Sequence, residues 1–220
     1  MKLLAFDTAT DACSAALWLD GAVREEFELV RNGHSERLLP MIEALLADGG
    51  VALRALDAIA FGRGPGAFTG LRIAAGVAQG LAFGADLPVV PISSLAALAE
   101  MQGTPRVFAA LDARMGQLYW GAYVRAVDGV LTPAVPDRLS DVAAVSLPAG
   151  DWLAVGSGAE AYAARLRAAL PIADVREAQY PRAAGVARLA AAALARGEAC
   201  APELALPVYL RDEVAKKSPQ

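Results

Sequence analysis

The 220-residue sequence has few of the residues that hold metals and disulfides. It contains two cysteines, Cys13 and Cys200, and a single histidine, His34. Two cysteines cannot build a disulfide framework, so we expect a reducing, cytoplasmic environment. Zinc and iron sites need several His, Cys or carboxylate ligands at close spacing, and no H-x-x-H, H-x-x-x-H or C-x-x-C occurs. We therefore expect no resident metal.

Clustered positive charge is also scarce. The chain has 20 basic and 24 acidic residues, a net charge of −4, and its lysine pair at 216–217 lies close to the C-terminus. A protein that grips nucleic acid by itself usually presents a basic surface that displaces counterions. We therefore expect any contact with nucleic acid to need a partner.

Long apolar runs are missing as well. The most apolar region, 68–85, is interrupted by Thr69, Arg72 and Gln79 and by several glycines, so it does not resemble a membrane span. Asp7 comes too early in the chain for the apolar core of a signal peptide. We expect no association with a membrane.

Glycine, in contrast, is concentrated in one loop. The run GRGPGAFTGLRI at 62–73 follows a short apolar strand and opens into an apolar helix predicted over 68–83. Such a loop can point backbone N–H groups at an anion beside a helix N-terminus, or it can simply form a tight turn. The run lacks the Gly-Lys-Ser/Thr of a P-loop, and no acid stands at the end of the next strand, which excludes a dinucleotide fingerprint. The anion site and the tight turn both stay open as interpretations of this loop.

The two halves of the chain repeat one order of elements. In each half an apolar strand ends in aspartate (Asp7, Asp112), and a hairpin signal follows at Asp20-Gly21 or Asp128-Gly129. A helix, a strand ending in Gly-x-Gly and another helix complete each half. The predicted helices lie at 35–46, 68–83, 140–145 and 159–170, with Ser35 near the first N-cap. We also predict helices from Ser94 and over 184–196, and a loose tail after Glu213.

The glycine loop carries a family resemblance. The segment GPGAFTGLRIAAGVAQGLA at 64–82 closely resembles the signature of the TsaB (YeaZ) family. Further matching segments follow in the family's order over nearly the whole chain, at 7–10, 34–40, 91–95, 112–114, 155–158 and 207–211. The resemblance implies an α/β fold of the actin-like, hexokinase-like ATPase class, with two RNase-H-like halves, 1–104 and 105–220, each with a mixed sheet and flanking helices.

The same resemblance implies a function. TsaB-like proteins are the non-catalytic subunits of a complex that transfers a threonylcarbamoyl group to the adenosine next to the tRNA anticodon. The implied partners are a catalytic TsaD-like paralogue and a TsaE-like P-loop ATPase, with tRNA met only through the complex and a homodimer when the chain is alone. No cofactor is implied for the isolated chain, and Mg-ATP is a candidate at the partner interface. The paralogue's paired-histidine motif is missing here, which predicts a chain that is not the transferase.

Seven residues are candidates for nucleotide contact, by analogy with enzymes of this fold. They are Asp7, Thr8, Gly64, Gly66, Asp112, Gly156 and Gly158. Thr8-Ala9-Thr10 replaces the glycine turn that lets a phosphate approach, so Asp7 either anchors a Mg-nucleotide or caps its own turn. Gln117 occupies a position where the family usually has an acid. An actin-like ATPase or kinase remains the rival function, and a metallo-peptidase is a weaker one.

Eight residues are predicted to form the partner interface. The first helix presents Leu38, Met41, Ile42 and Leu45, and the second presents Ile73, Gly76, Val77 and Gly80. Gly76, Gly80 and Gly84 recur every four residues, so they share one stripe that another helix can approach closely. Core burial within the chain is the alternative. The family resemblance favours the interface, because TsaB-like proteins are thought to dimerise through these two helices.

Overall fold

A computed structural model describes residues 1–211 of the chain, which form two five-stranded mixed sheets. The first sheet has the order β3-β2-β1-β4-β5, with β1 (Lys2–Asp7), β2 (Ala12–Leu19), β3 (Ala22–Leu29), β4 (Ala58–Gly62) and β5 (Val89–Ile92). The second has the order β10-β9-β6-β7-β8, with β6 (Arg106–Asp112), β7 (Gln117–Arg125), β8 (Leu131–Asp141), β9 (Trp152–Val155) and β10 (Ile172–Arg176). Read from the opposite edge, the second order is β8-β7-β6-β9-β10. In both sheets the strands of that half therefore lie in the order third, second, first, fourth, fifth, which confirms the predicted duplication. Each sheet also has a fifth strand, which the repeated order of elements in the sequence did not predict.

Helices cover both faces of the first sheet. They are α1 (His34–Gly49) and α2 (Phe68–Ala85) on one face and α6 (Ala183–Ala195) on the other. Three shorter helices, α3 (Ser94–Glu100), α4 (Ser157–Ala161) and α5 (Ala163–Ala169), pack on the second sheet. Leu4 and Phe6 of β1 pack in the core cluster that holds the buried faces of α1 and α2. Leu3 and Ala5 point to the opposite face, against α6. Because both faces of β1 are covered, its sequence is apolar without alternation.

Both predicted hairpins are present. Asp20 and Gly21 form the two-residue loop between β2 and β3, with φ of 49° and 99°. Positive φ at both positions is what a type I′ turn requires, and Asp-Gly supplies it at low cost. Asp128-Gly129 lies in the loop between β7 and β8, where Gly129 has φ of 84°.

Three predicted helices differ from those observed. The helix predicted over 140–145 is wrong, because β8 runs to Asp141 on the edge of its sheet and only a 3₁₀ turn, Val142–Ala144, follows. The helix predicted over 159–170 is two short helices, which meet at the non-helical Tyr162. The helix predicted over 35–46 is longer at both ends. Its cap is the left-handed Gly33, with no side-chain cap, so the N-cap predicted near Ser35 is wrong.

The chain returns to its first half after the second sheet. The predicted boundary between 104 and 105 falls between β5 and β6, in the connection that follows α3. α6 then packs on β1, β2, β4 and β5, so the segment after β10 does not stay with the second sheet. The loose tail predicted after Glu213 lies outside the described residues. Among residues 1–211, no helix combines the length and apolar character needed to cross a membrane.

Candidate functional site

Asp7 lies at the end of β1, and its carboxylate is used within the protein. Oδ1 accepts a hydrogen bond from the backbone N–H of Ala9 at 2.8 Å, and Oδ2 accepts one from Ser94 Oγ at 2.6 Å. A Cβ added to Gly62 would lie 1.8 Å from Oδ2, so only glycine fits beside this carboxylate. Of the two roles considered for Asp7, these contacts fit the one in which the carboxylate caps its own turn.

The glycine loop packs directly on the turn that follows Asp7. Thr8 Oγ1 donates to the carbonyl of Gly70 at 2.8 Å, and the N–H of Ala67 donates to the carbonyl of Ala9 at 2.7 Å. Added Cβ atoms at Gly66 and Gly70 would lie 2.2 and 1.9 Å from the Ala9 and Thr8 carbonyl oxygens. A protein carbonyl therefore takes one of the N–H groups at the start of α2 that an anion would need.

The second glycine pair is also fixed by close packing. A Cβ added to Gly156 would lie 2.4 Å from the carbonyl oxygen of Ala110, and Gly156 has φ of 97°. A Cβ at Gly158 would lie 2.8 Å from the carbonyl carbon of Leu111. These glycines let the start of α4 approach the backbone of β6, which is a structural reason for both.

A cavity of about 290 Å³ lies between the two lobes. It brings together two of the seven nucleotide candidates, Gly66 and Asp112. Asp112 accepts a hydrogen bond from the backbone N–H of Arg114 at 2.9 Å and pairs with its guanidinium at 3.3 Å. Sequence reasoning did not select the other polar and aromatic residues that line this cleft, which include Thr10, Arg114, Tyr119, Ser157 and Tyr180. Arg114 and Tyr119 stand in family-like segments, which was the available signal.

His34 begins α1 and has a structural partner. Its Nε2 lies 2.8 Å from the carbonyl oxygen of Thr10, which ties the helix start to the turn after β1. In the part of the chain that the structure describes, no group of three or more His, Cys, Asp or Glu side chains is placed to hold a metal ion.

The predicted interface residues separate into two groups. Leu38, Met41, Ile42 and Leu45 belong to the core cluster beneath α1, so the prediction that they form the partner interface is wrong and the alternative of core burial holds for them. They form the inner face of the helix, where periodicity alone does not distinguish core from interface. Ile73 and Val77 are half-buried, whereas Gly76 and Gly80 are exposed and an added Cβ at either would meet no atom within 4 Å.

Comparison with known proteins decides the family. The model of the family described as TsaD, tRNA N6-adenosine threonylcarbamoyltransferase, matches residues 28–218. The tRNA threonylcarbamoyladenosine biosynthesis protein TsaB of Escherichia coli is 42% identical, over 99% of this chain and 97% of its own length. The chain belongs to the TsaB (YeaZ) family. The TsaB protein of Haemophilus influenzae is 53% identical over 57% of this chain and 55% of its own.

A solved TsaB-family structure confirms the fold. YeaZ from Pseudomonas aeruginosa superposes with a TM-score of 0.89 at 45% identity, over 95% of this chain and 99% of that one. With the TsaD family match, this confirms the two-lobed, actin-like α/β architecture.

Gln117, at the position where the family resemblance led us to expect an acid, bridges two segments. Its Oε1 accepts a hydrogen bond from Arg211 at 2.9 Å, and its Nε2 donates to Asp141 Oδ1 at 3.1 Å. A glutamate here would lose the donor and place a second negative charge beside Asp141. The amide therefore joins the segment before Arg211 to the end of β8.

The Asp7→Asn variant tests whether this TsaB-family carboxylate is structural. The amide oxygen keeps the bond from Ala9, and the amide N–H keeps the contact with Ser94. Burial raises the pKa of Asp7, against the hydrogen bonds from Ser94 and Ala9. The folded state then holds the Asp7 proton more tightly than the unfolded chain, and wild-type stability is lost as pH rises from about 4 through the folded-state pKa.

We expect the free energy of unfolding of Asp7→Asn, relative to wild type, to increase over that pH range. Urea unfolding of both proteins at a series of pH values measures the difference. A difference that falls as the pH rises would contradict the account of Asp7.

Proposed function

We propose that this chain is a non-catalytic partner subunit in the synthesis of threonylcarbamoyl-adenosine in tRNA. Its membership of the TsaB family, with a match over nearly the full length of the E. coli relative, supports a role for this chain in that synthesis. The observation that supports a subunit role is the uncovered outer face of the first two helices. The tRNA substrate class implies a cytoplasmic location.

Apolar residues and glycines on the outer sides of α1 and α2 form an open patch. We define the α1/α2 face as Leu39, Ile73, Gly76, Val77 and Gly80. Leu39 is 43% exposed, and the two glycines leave a flat stripe with no neighbouring atoms. Phe83, also on α2, is 61% exposed. Large exposed apolar groups gathered beside a glycine stripe are typical of a protein interface.

We assign this face to the TsaD-like catalytic paralogue. The family model that matches this chain is that of TsaD, so the two proteins share a domain of one fold. A face that pairs two copies symmetrically also suits a paralogue of the same fold, so the isolated chain forms a homodimer through it. The TsaE-like ATPase and tRNA then join the pair, and Mg-ATP belongs at their interface rather than to this chain alone.

Reconstitution tests the proposed function. Purified TsaD-like and TsaE-like proteins are incubated with tRNA, the threonylcarbamoyl donor and Mg-ATP, with and without this chain. Mass spectrometry of the digested tRNA should detect threonylcarbamoyl-adenosine only when the chain is present. Equal modification without the chain would refute the subunit role.

The isolated chain should bind ATP weakly, with a dissociation constant no tighter than about 1 mM, or about −4 kcal/mol. The physical reason is that Thr8, Ala9 and the start of α2 pack on one another where a phosphate would approach. Calorimetry with Mg-ATP measures the constant. A micromolar constant would favour the ATPase or kinase rival instead.

Purified protein should carry no stoichiometric zinc or iron and show no transferase or peptidase turnover by itself. His34 is the single histidine and already contacts a backbone carbonyl. Elemental analysis of the purified chain checks the first expectation, and assays of the chain alone check the second. One tightly held metal ion per chain would favour the metallo-peptidase rival.

A further inference from the structure

A second cavity between the lobes shares no lining residue with the cavity of about 290 Å³ described above. Its volume is about 340 Å³, which is room for a small molecule. The first half contributes Arg63 and Ser93, from the ends of β4 and β5, and the second contributes Tyr123 and Asp137. Polar groups of different charge thus line one cavity.

The carboxylate of Asp137 accepts hydrogen bonds in this cavity. One carboxylate oxygen accepts from Ser93 Oγ at 2.5 Å, and the other accepts from the Tyr123 hydroxyl. A carboxylate has about four acceptor sites, so two hydroxyl donors leave about half of them free. No residue between 1 and 211 forms a salt bridge with Asp137.

The hydroxyl groups of Ser93 and Tyr123 donate hydrogen bonds to Asp137 but bring no positive charge to it. Ser93 Oγ already accepts the N–H of Ala96, so its single proton goes to Asp137. Burial raises the pKa of Asp137, while the hydrogen bonds from Ser93 and Tyr123 and the charge of Arg63 act against this. The site therefore lacks a charged donor in contact with the carboxylate.

Arg63 is the cation of the cavity. Within residues 1–211 its guanidinium forms no salt bridge, and its backbone is fixed by Ile92 and Val208. A planar guanidinium binds a carboxylate through two parallel hydrogen bonds. Among residues 1–211, the cavity thus offers one group of each sign that forms no salt bridge.

The remaining walls of the cavity are apolar. Leu131 and Pro133 come from β8, Leu189 from α6, and Val208 and Leu210 from the last described segment. Apolar walls with a few polar groups that fix orientation are usual for small-molecule sites.

We propose that this cavity binds an apolar α-amino acid. Its ammonium would contact the free acceptor sites of Asp137, its carboxylate would pair with Arg63, and its side chain would lie against Leu131 and Leu189. A zwitterion matches both unpaired charges at once, whereas a simple anion or amine would leave one of them without a partner.

Ligand-observed NMR and calorimetry on the full chain test this with three related probes. We expect L-leucine to bind with a saturable constant below about 10 mM. N-acetyl-L-leucine lacks the cation and isoamylamine lacks the carboxylate, so each should bind at least about tenfold more weakly.

Variants locate the site. Arg63→Gln and Asp137→Asn should each weaken leucine binding about tenfold or more. Arg165→Gln is the matched control, because Arg165 is an exposed arginine of α5 that does not line this cavity, and it should bind leucine like wild type. Arg63 is exposed, so its variant tests the proposal even if Asp137→Asn folds poorly. Absence of saturable leucine binding, equal binding of the three probes, or full binding by Arg63→Gln would overturn it.

Discussion

A glutamate in place of Gly76 should leave the chain folded and weaken its association with the TsaD-like paralogue about a hundredfold. An added side chain at Gly76 meets no atom of the chain within 4 Å, so the fold has room for it. Glutamate is also the better helix former, by up to about 1 kcal/mol. A carboxylate trapped in a dry interface without a counter-charge, however, costs several kcal/mol. Titration of labelled chain with the paralogue measures the loss.

A matched substitution controls for charge alone. Ala168→Glu places the same side chain on an exposed position of α5, in the other lobe, and should bind the paralogue like wild type. Circular dichroism of both variants checks that each is folded. A folded Gly76→Glu variant that binds at full strength would mean that the α1/α2 face is not the interface.

Leu38→Glu should unfold the chain, in contrast with Leu39→Glu one residue later. Leu38 is completely buried, in a core cluster with Phe6, Phe61 and Ala74. Leucine-to-alanine substitutions at such sites cost about 2 to 5 kcal/mol, and an unpaired buried carboxylate adds to that cost. This is a large part of the stability of an ordinary domain. Thermal and urea unfolding measure the difference between the two variants.

Leu39 is the control for this pair. It lies on the outer side of α1 and belongs to the α1/α2 face, so Leu39→Glu should remain folded while pairing more weakly. A stable Leu38→Glu variant with a wild-type unfolding curve would contradict its place in the core. Loss of folding in Leu39→Glu would show that the outer side of α1 is not free.

Local patterns predicted the elements whose causes are local. The Asp20-Gly21 hairpin follows from residues that accept positive φ, and β1 follows from an uninterrupted apolar run that ends at Asp7. The duplication was visible because each half repeats the strand, hairpin and Gly-x-Gly order. The segment 140–145 was mistaken for a helix, whereas β8 continues to Asp141 and the next three residues form only a 3₁₀ turn.

The role of each site residue depended on distant contacts that no spacing reveals. The glycines at 62, 66 and 70 looked suited to an anion, yet each is required by a nearby atom of Asp7 or of the turn that follows it. The apolar stripe of α1 looked like an interface, but it faces the sheet, and the α2 glycines face outward. Ser93, Tyr123 and Asp137 meet only when the two halves fold together, from positions 30 and 44 residues apart.

Mass measurement of an equimolar mixture tests the central claim most directly. The purified chain is mixed with the TsaD-like paralogue of the same organism, and size-exclusion chromatography with light scattering gives the mass of each species. We predict a single species with the mass of one chain plus one paralogue, and its loss when Gly76→Glu replaces wild type. Two independent peaks at micromolar concentration, with both proteins folded, would contradict the account.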